Sequence, residues 1–379
     1  MAPYSIPFNR PALVGTEFRA MQEAVEKGKI SGDGEFTRRC QALLEAALGA
    51  PKVLLTTSCT HALEMTALLL DIQPGDEIIL PSFTFVSSVN AYVLRGARPV
   101  FADIRPDTLN LDERQLADLV TPRTRAIMPV HYAGVACEME TILKTAEKAG
   151  AAVVEDNAHG FLGKWNGRML GTLGALSTLS FHETKNFTSG EGGALVVNDP
   201  RYLERAEIVR EKGTNRARFF RGEIDRYSWV DLGSSYVPSD LLAAYLYAQL
   251  VERERIQARR GAIWERYLEE LAPWAGEHGV RLPIVPAGCE QPFHIFYLLL
   301  PTLAVRQGLI EHLKAQGILA VFHYVPLHLS EYARQAGGRG DCPVATDLSD
   351  RLLRLPLYFN LSVDDQSRVI EAVRGFHGF

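Results

Sequence analysis

Three short segments of this 379-residue chain carry side chains whose type and spacing could do chemistry. In Val154-Glu-Asp-Asn-Ala-His-Gly160 an acid ends an apolar run, the place where ligand crevices open in α/β sheets. Asp156 is therefore placed to face a ligand, although an Asp there can equally cap the next turn. In Ser180-Phe-His-Glu-Thr-Lys-Asn186 a lysine follows another short strand-like run, and Thr188-Ser-Gly-Glu-Gly-Gly193 comes directly after it. Taken alone, Lys185 reads as a solvated surface lysine and the glycines as a turn. In Thr56-Thr-Ser-Cys-Thr60 a small polar run lies between a strand and a helix. Free N–H groups at a helix start, with the hydroxyls of Ser58 and Thr60, make a cup for phosphate, while the plain alternative is a serine N-cap. The glycines lack the GxxxxGK order of a P-loop, and no GxGxxG follows the early strands, which argues against a nucleotide triphosphatase and a nicotinamide-dependent dehydrogenase.

The elements that must position these residues alternate. Short apolar runs at Lys52–Thr56, Glu77–Leu80, Pro99–Asp103, Arg125–Val130 and Ala151–Glu155 are separated by helical patterns at Thr60–Leu70, Phe85–Arg95 and Met139–Lys148. That alternation predicts an α/β fold with a mostly parallel sheet covered on both faces. Two more strands are expected at Ser177–Phe181 and Ala194–Val197. Beyond them, Ser239–Leu271 reads as one or two long charged helices bridging two domains. His294–Leu300, Leu303–Lys314, Leu319–Tyr324 and Val363–Val373 then supply strand, helix, strand and helix for a smaller C-terminal α+β unit. The expected division is a large domain over 1–250 and a small one over 251–379.

Composition is that of an ordinary globular protein, 47% hydrophobic and 22% charged. A net charge of -5 argues against binding nucleic acid through broad phosphate neutralisation, and any anionic partner should be small. Cys40, Cys59, Cys137, Cys289 and Cys342 are spaced as neither a disulfide framework nor a CxxC metal clamp, so reduced thiols and no metal site are expected. Met1-Ala-Pro-Tyr-Ser-Ile-Pro-Phe8 has no basic n-region or apolar h-region, and no membrane-length apolar stretch follows, which predicts a cytoplasmic protein with no membrane partner.

In order and placement, the three segments resemble the DegT/DnrJ/EryC1/StrS family of sugar aminotransferases, within the fold-type I enzymes of pyridoxal phosphate. The resemblance runs from Ile6-Pro-Phe-Asn9 and Ile30-Ser-Gly-Asp-Gly34 to Leu355-Pro-Leu357. The branch that aminates dTDP-4-keto-6-deoxy-D-glucose shares stretches like Phe181-His-Glu-Thr-Lys-Asn186, His131-Tyr-Ala-Gly-Val-Ala-Cys137 and Gly233-Ser-Ser-Tyr236.

The resemblance implies that Lys185 joins the cofactor aldehyde as an imine and that Asp156 pairs with the pyridine nitrogen. A lysine must be neutral to condense with a carbonyl, and burial near other positive charge favours that form. An anion at the ring nitrogen keeps it protonated, so that the ring can accept electrons. By the same resemblance His159 lies beside the phenolic oxygen, Phe85 stacks on the ring, and Ser180, Cys59 and Thr60 bind the phosphate. Many relatives have Gly-x-Asn-x-Arg where this chain has Gly233-Ser-Ser-Tyr-Val237, and their Asn reaches the phosphate from a neighbouring subunit. Ser235 stands at that position, and a homodimer with shared sites is implied.

The implied reaction takes the amino group of L-glutamate, through the pyridoxamine phosphate form, to C4 of the dTDP-linked keto sugar. The configuration of the new amine, glucose-like or galactose-like, stays open. Lys212, Arg216 and Arg221 have the chemistry to meet sugar-nucleotide phosphates, and His323, Tyr324 and His328 to meet hydroxyls, although each basic residue also reads as a surface charge. A deoxysugar dehydratase of the same fold replaces the lysine with histidine, so Lys185 argues against it. A catalytically silent, cofactor-sensing regulator is the alternative from another class.

Overall fold

The computed structural model describes residues 4–379; Met1, Ala2 and Pro3 of the N-terminal segment considered above lie outside the described residues. The apolar runs form strands because alternate side chains can be buried on two opposite faces. In β1 (Lys52–Thr56), Leu54 joins one hydrophobic cluster while Val53 and Leu55 join another. The rest of the central sheet is β2 (Glu77–Pro81), β3 (Arg98–Ala102), β4 (Thr124–Ile127), β5 (Ala152–Asp156), β8 (Leu176–Ser180) and β9 (Gly193–Val197). Two short strands, β6 (Lys164–Trp165) and β7 (Arg168–Met169), form a separate small sheet with β10 (Cys289–Glu290).

The strand order is β1-β9-β8-β5-β4-β2-β3. β9 pairs antiparallel with β1 and with β8, and the remaining pairs are parallel, so the expectation of a mostly parallel sheet is met. Helices α3 (Cys59–Leu69) and α4 (Val86–Val93) contribute to the cluster on one face. The other face packs against α2 (Glu35–Leu48), the helix Asp240–Val251 and the helix Met139–Ala149. Both faces are covered, which is why the strands read as continuous apolar runs. The architecture is the α/β fold that the alternation of the sequence predicts.

The long charged stretch is two helices, Asp240–Val251 and Arg253–Glu277. A further hydrophobic cluster draws Ile263, Tyr267 and Leu271 of the second together with Phe296, Leu309, Leu353, Val369 and Ile6. In this C-terminal part β11 (Tyr297–Leu299) pairs with β12 (Leu352–Arg354). The strand expected at Leu319–Tyr324 is a correction. That segment splits its backbone bonds between two partners, Leu319 N–H to Ile6 O at 2.9 Å and Val321 N–H to Arg354 O at 3.2 Å, so it makes isolated bridges and no regular strand. The strand that takes the place beside β11 is Leu352–Arg354, too short for alternation to show it.

Candidate active site

Parallel strands end on the same side of a sheet, and here the ends of β1, β2, β5 and β8 open onto one cavity of about 790 Å³. Cys59, Thr60, Phe85, Asp156, His159, Ser180, Lys185, His323 and Tyr324 all line it. The antiparallel β9 starts at this edge. A Cβ at Gly193 would collide with the backbone of Ser58 and Cys59, so only glycine lets the start of β9 lie against the first turn of α3.

Glu155 and Asp156 end β5 with different tasks. Glu155 is fully buried and accepts from His131 Nε2 (2.9 Å) and from the N–H groups of Gly171 (2.8 Å), Leu173 (2.7 Å) and Gly174 (2.7 Å). Burial alone would raise its pKa, but the bonds from His131 and the glycine amides outweigh it and hold the carboxyl below its ordinary value. Asp156, 5% exposed, accepts from Ser88 Oγ at 2.7 Å and from Ala158 N–H at 3.2 Å, and it faces the cavity. Ser88 sits on α4, where Phe85 is the N-cap residue, so one helix start presents the aromatic ring and also orients the acid.

Lys185 is held by its neighbours. Its own N–H donates to His182 O at 2.9 Å. Next to it, Asn186 Nδ2 donates to Pro292 O (2.7 Å) and Gln257 Oε1 (3.0 Å), while Asn186 Oδ1 lies 2.9 Å from His294 Nδ1. Burial pushes the Lys185 amine down to about 8, opposed by Asp156 and helped by the charge of Arg354. A useful fraction is therefore neutral near physiological pH. Burial also holds His159, His294 and His323 well below the ordinary histidine range, with the charges of Lys185 and Arg354 acting in the same direction. The cavity wall thus carries neutral imidazoles.

The residues present fit pyridoxal phosphate. His159 Nδ1 is buried with no hydrogen-bond partner, an atom that a phenolic oxygen would satisfy. The first N–H groups of α3 stand at the cavity, where Ser58 Oγ caps the helix through His61 N–H at 3.1 Å and Thr60 Oγ1 lies 2.8 Å from Ser87 Oγ. Phe85 is 57% exposed and lines the cavity, as a ring waiting for a stacking partner does. Among the described residues, no cluster of three or more His, Cys, Asp or Glu is arranged to hold a metal ion.

Residues 11–374 match the DegT/DnrJ/EryC1/StrS aminotransferase family. The chain belongs to that family. Among curated proteins it is 33% identical to the spore coat polysaccharide biosynthesis protein SpsC of Bacillus subtilis, over 97% of this chain and 96% of that protein. Among solved structures it superposes on the aminotransferase TlmJ from Streptoalloteichus hindustanus with a TM-score of 0.89 and 32% identity, covering 97% and 98% of the two chains. It also superposes on Spr1654 from Streptococcus pneumoniae, solved in a PLP form, with a TM-score of 0.89 and 26% identity over 98% of each chain. The protein is a pyridoxal phosphate-dependent sugar aminotransferase.

Not every candidate reaches the aminotransferase cavity. Ser235 is exposed and bridges Glu211. Lys212 pairs with Glu211 at 3.4 Å, Arg216 with Glu211 at 3.8 Å, and Arg221 with Glu207 at 2.8 Å and Glu223 at 2.6 Å. His328 lies behind the wall, with Nδ1 2.6 Å from Ser82 Oγ and Nε2 3.3 Å from Thr346 Oγ1. Within one chain none of the five lines the cavity. Conversely, Phe8, Asn9, Ser88, His294 and Arg354 line it without having been singled out. Ser88 had a legible signal, three residues after Phe85 on the same helix start; Arg354 had none, because only long-range pairing brings it there.

Proposed function

We propose that this enzyme moves the amino group of L-glutamate to C4 of dTDP-4-keto-6-deoxy-D-glucose, giving a dTDP-4-amino-4,6-dideoxyhexose and 2-oxoglutarate. The observation that carries the reading is the meeting of Lys185 and Asp156 in one cavity, the lysine with its amine pushed down to about 8. The choice of sugar and donor rests on the sequence resemblance.

Bound pyridoxal phosphate supplies a carbonyl that captures amines and a ring that takes up the electrons released when a neighbouring C–H bond breaks. The chain's residues do the rest. Lys185 Nζ, once displaced by the donor amine, would take the proton from the donor's Cα and deliver it to the cofactor side of the shared nitrogen, and in the second half would deliver a proton to C4 of the sugar. Asp156, oriented by Ser88, keeps a proton on the pyridine nitrogen. His159 donates to the phenolic oxygen, Phe85 covers one ring face, and Ser180 with the helix-start groups of Cys59 and Thr60 holds the phosphate. The amino group stays with the enzyme while 2-oxoglutarate leaves and the keto sugar enters, so ping-pong kinetics follow.

The active unit in this reading is a cytoplasmic homodimer, each chain being divided near residue 250 into a large and a small domain. Segment 212–235 exposes Phe220, Tyr227 and Trp229 beside Lys212, Arg216, Arg221 and Ser235, and it delivers these polar residues to the second copy's cavity. His323 and Tyr324 meet sugar hydroxyls from within the chain. Among the described residues no helix is long and apolar enough to cross a membrane.

The test is incubation with L-glutamate and dTDP-4-keto-6-deoxyglucose, followed by NMR couplings at C4. An amino sugar with 2-oxoglutarate is expected, and the couplings give its configuration. An unreacted sugar overturns the substrate.

A further inference from the structure

His294 carries the inference that goes furthest. It belongs to residues 292–295, whose carbonyls are bound in turn by one face of the helix Arg253–Glu277. Gln257 Nε2 donates to Pro292 O (3.1 Å), Arg260 Nε to Phe293 O (3.1 Å), Arg260 Nη2 to His294 O (2.8 Å) and Trp264 Nε1 to Ile295 O (3.1 Å). Side chains three and four positions apart share a helix face, so the backbone on both sides of His294 is gripped at once. The grip holds Phe293 at a φ of 54°, a left-handed conformation that a residue with a side chain seldom adopts without constraint. The imidazole is fixed as well. Both hydrogens of Asn186 Nδ2 have acceptors, Pro292 O and Gln257 Oε1, so the atom that meets His294 Nδ1 at 2.9 Å is Asn186 Oδ1, which can only accept. The hydrogen of the neutral ring therefore sits on Nδ1, and Nε2 keeps its lone pair. Nε2 has no hydrogen-bond partner among the described residues, and the ring lines the cavity with its centroid 4.6 Å from that of His159.

We propose that Asn186 holds His294 as the hydrogen-bond acceptor for the hydroxyl next to the ketone of the sugar substrate. This rests on the keto-sugar reading of the same cavity. Lys185 directly precedes Asn186, and its charge acts on His294, so the ring stands near the reacting nitrogen. Burial, joined by the charges of His159, Lys185, Arg260 and Arg354, holds His294 well below the ordinary histidine range, whereas the Lys185 amine is pushed down only to about 8. The lysine therefore keeps a proton that the imidazole cannot, and His294 accepts hydrogen bonds without acting as the base. A lone pair at that place discriminates between the two substrates. Beside its reacting carbon the amino donor carries a carboxylate, whose oxygens offer no hydrogen and would meet Nε2 lone pair to lone pair. A keto sugar carries a hydroxyl there, which can donate. His294 is thus a specificity-determining residue for the sugar half, and Asn186 is a positioning residue that acts through it.

The test uses the cofactor-loaded protein and the variants H294N and H294Q. An asparagine amide reaches where Nδ1 stands and a glutamine amide where Nε2 stands, so H294N keeps the link to Asn186 and loses the cavity acceptor, while H294Q does the opposite. Each half-reaction is followed alone by the visible absorbance of the cofactor, the sugar half starting from the pyridoxamine phosphate form. The rate constant with dTDP-4-keto-6-deoxyglucose is then divided by that with L-glutamate. H294N should lose about tenfold of this ratio, as the loss of one hydrogen bond does, and H294Q should keep most of it. A merely structural histidine gives the reverse order. A second readout needs no turnover: in cofactor-free protein labelled with 15N-histidine, the signals that vanish in H294N or H294Q should belong to a ring protonated on Nδ1 alone, and Asn186→Leu should admit the other tautomer. Equal or reversed ratios in the two variants, or a wild-type ring protonated on Nε2, overturn the assignment. Should L-glutamate alter the wild-type spectrum while the keto sugar leaves the aminated form unreacted, the sugar reading fails first, and this one with it.

Discussion

The floor of the cavity and the arginine-rich segment 212–235 hold charge in opposite ways. On the floor, Asp156 and Lys185 both face the cavity, and the partners of Asp156, Ser88 Oγ and Ala158 N–H, leave one side of the carboxylate open. In the segment, Arg218 and Arg221 are cancelled by Glu204, Glu207 and Glu223 at the surface. For Lys185, burial with an open side lowers the pKa of the amine and leaves it free for a ligand. Exposure with a partner keeps the cation charged and occupied, since water and the neighbouring carboxylates already satisfy it. The floor can therefore act within one chain, whereas the segment's cations act only where a more highly charged anion, such as a diphosphate, outcompetes their present partners.

Replacing the lysine breaks this contrast most severely. Lys185→Arg keeps a cation at the floor but cannot form the imine, and turnover should fall by at least about 10⁴-fold, with no cofactor fixed by borohydride in the protein mass spectrum. Full turnover would refute the assignment. Next come the two adjacent acids. Asp156→Asn should lower kcat by about 10²-fold or more, two pK units of lost ring-nitrogen basicity, while the melting temperature barely moves. Glu155→Gln should do the reverse, costing about 3 kcal/mol of stability by calorimetry with kcat of the folded protein nearly kept. The Glu155 contribution is present above its ordinary value of 4.5 and is lost as acid protonates the folded carboxyl at lower pH.

A smaller effect sharpens the comparison through pH. Protonated Lys185 cannot condense with a carbonyl, so capture of pyridoxal phosphate by the cofactor-free protein should rise about tenfold per pH unit and level off above about 8. A profile still climbing at pH 10 would place the lysine in water. The smallest effect belongs to the segment. Arg221→Gln should change stability by less than about 1 kcal/mol in denaturant titration, because its ion pairs are at the surface. Half-saturation by the nucleotide sugar should nonetheless rise severalfold, and an unchanged value would remove the segment from the site.

Much of this was legible in the chain itself. The central strands stand where apolar runs stop at Thr56, Leu80, Glu155 and Phe181, each within one residue of the observed strand end, because burial on both faces leaves an unbroken apolar signature. Residues just beyond those stops, Cys59, Phe85, Asp156 and Lys185, reach the cavity because all parallel strands end on one side. Leu319–Tyr324 was misjudged because apolar content does not show where backbone bonds will go, and the backbone of this segment bonds to both Ile6 and Arg354.

Local pattern thus determined which strands exist and which residues follow them, since burial and helix starts are properties of neighbours along the chain. Only the tertiary structure decided that Ser88 orients Asp156, that His328 faces Ser82 and Thr346 instead of the cavity, and that Arg354 enters the wall. Those outcomes depend on contacts between residues tens to hundreds of positions apart, whose free energy comes from shared burial and leaves no periodic trace in either segment alone.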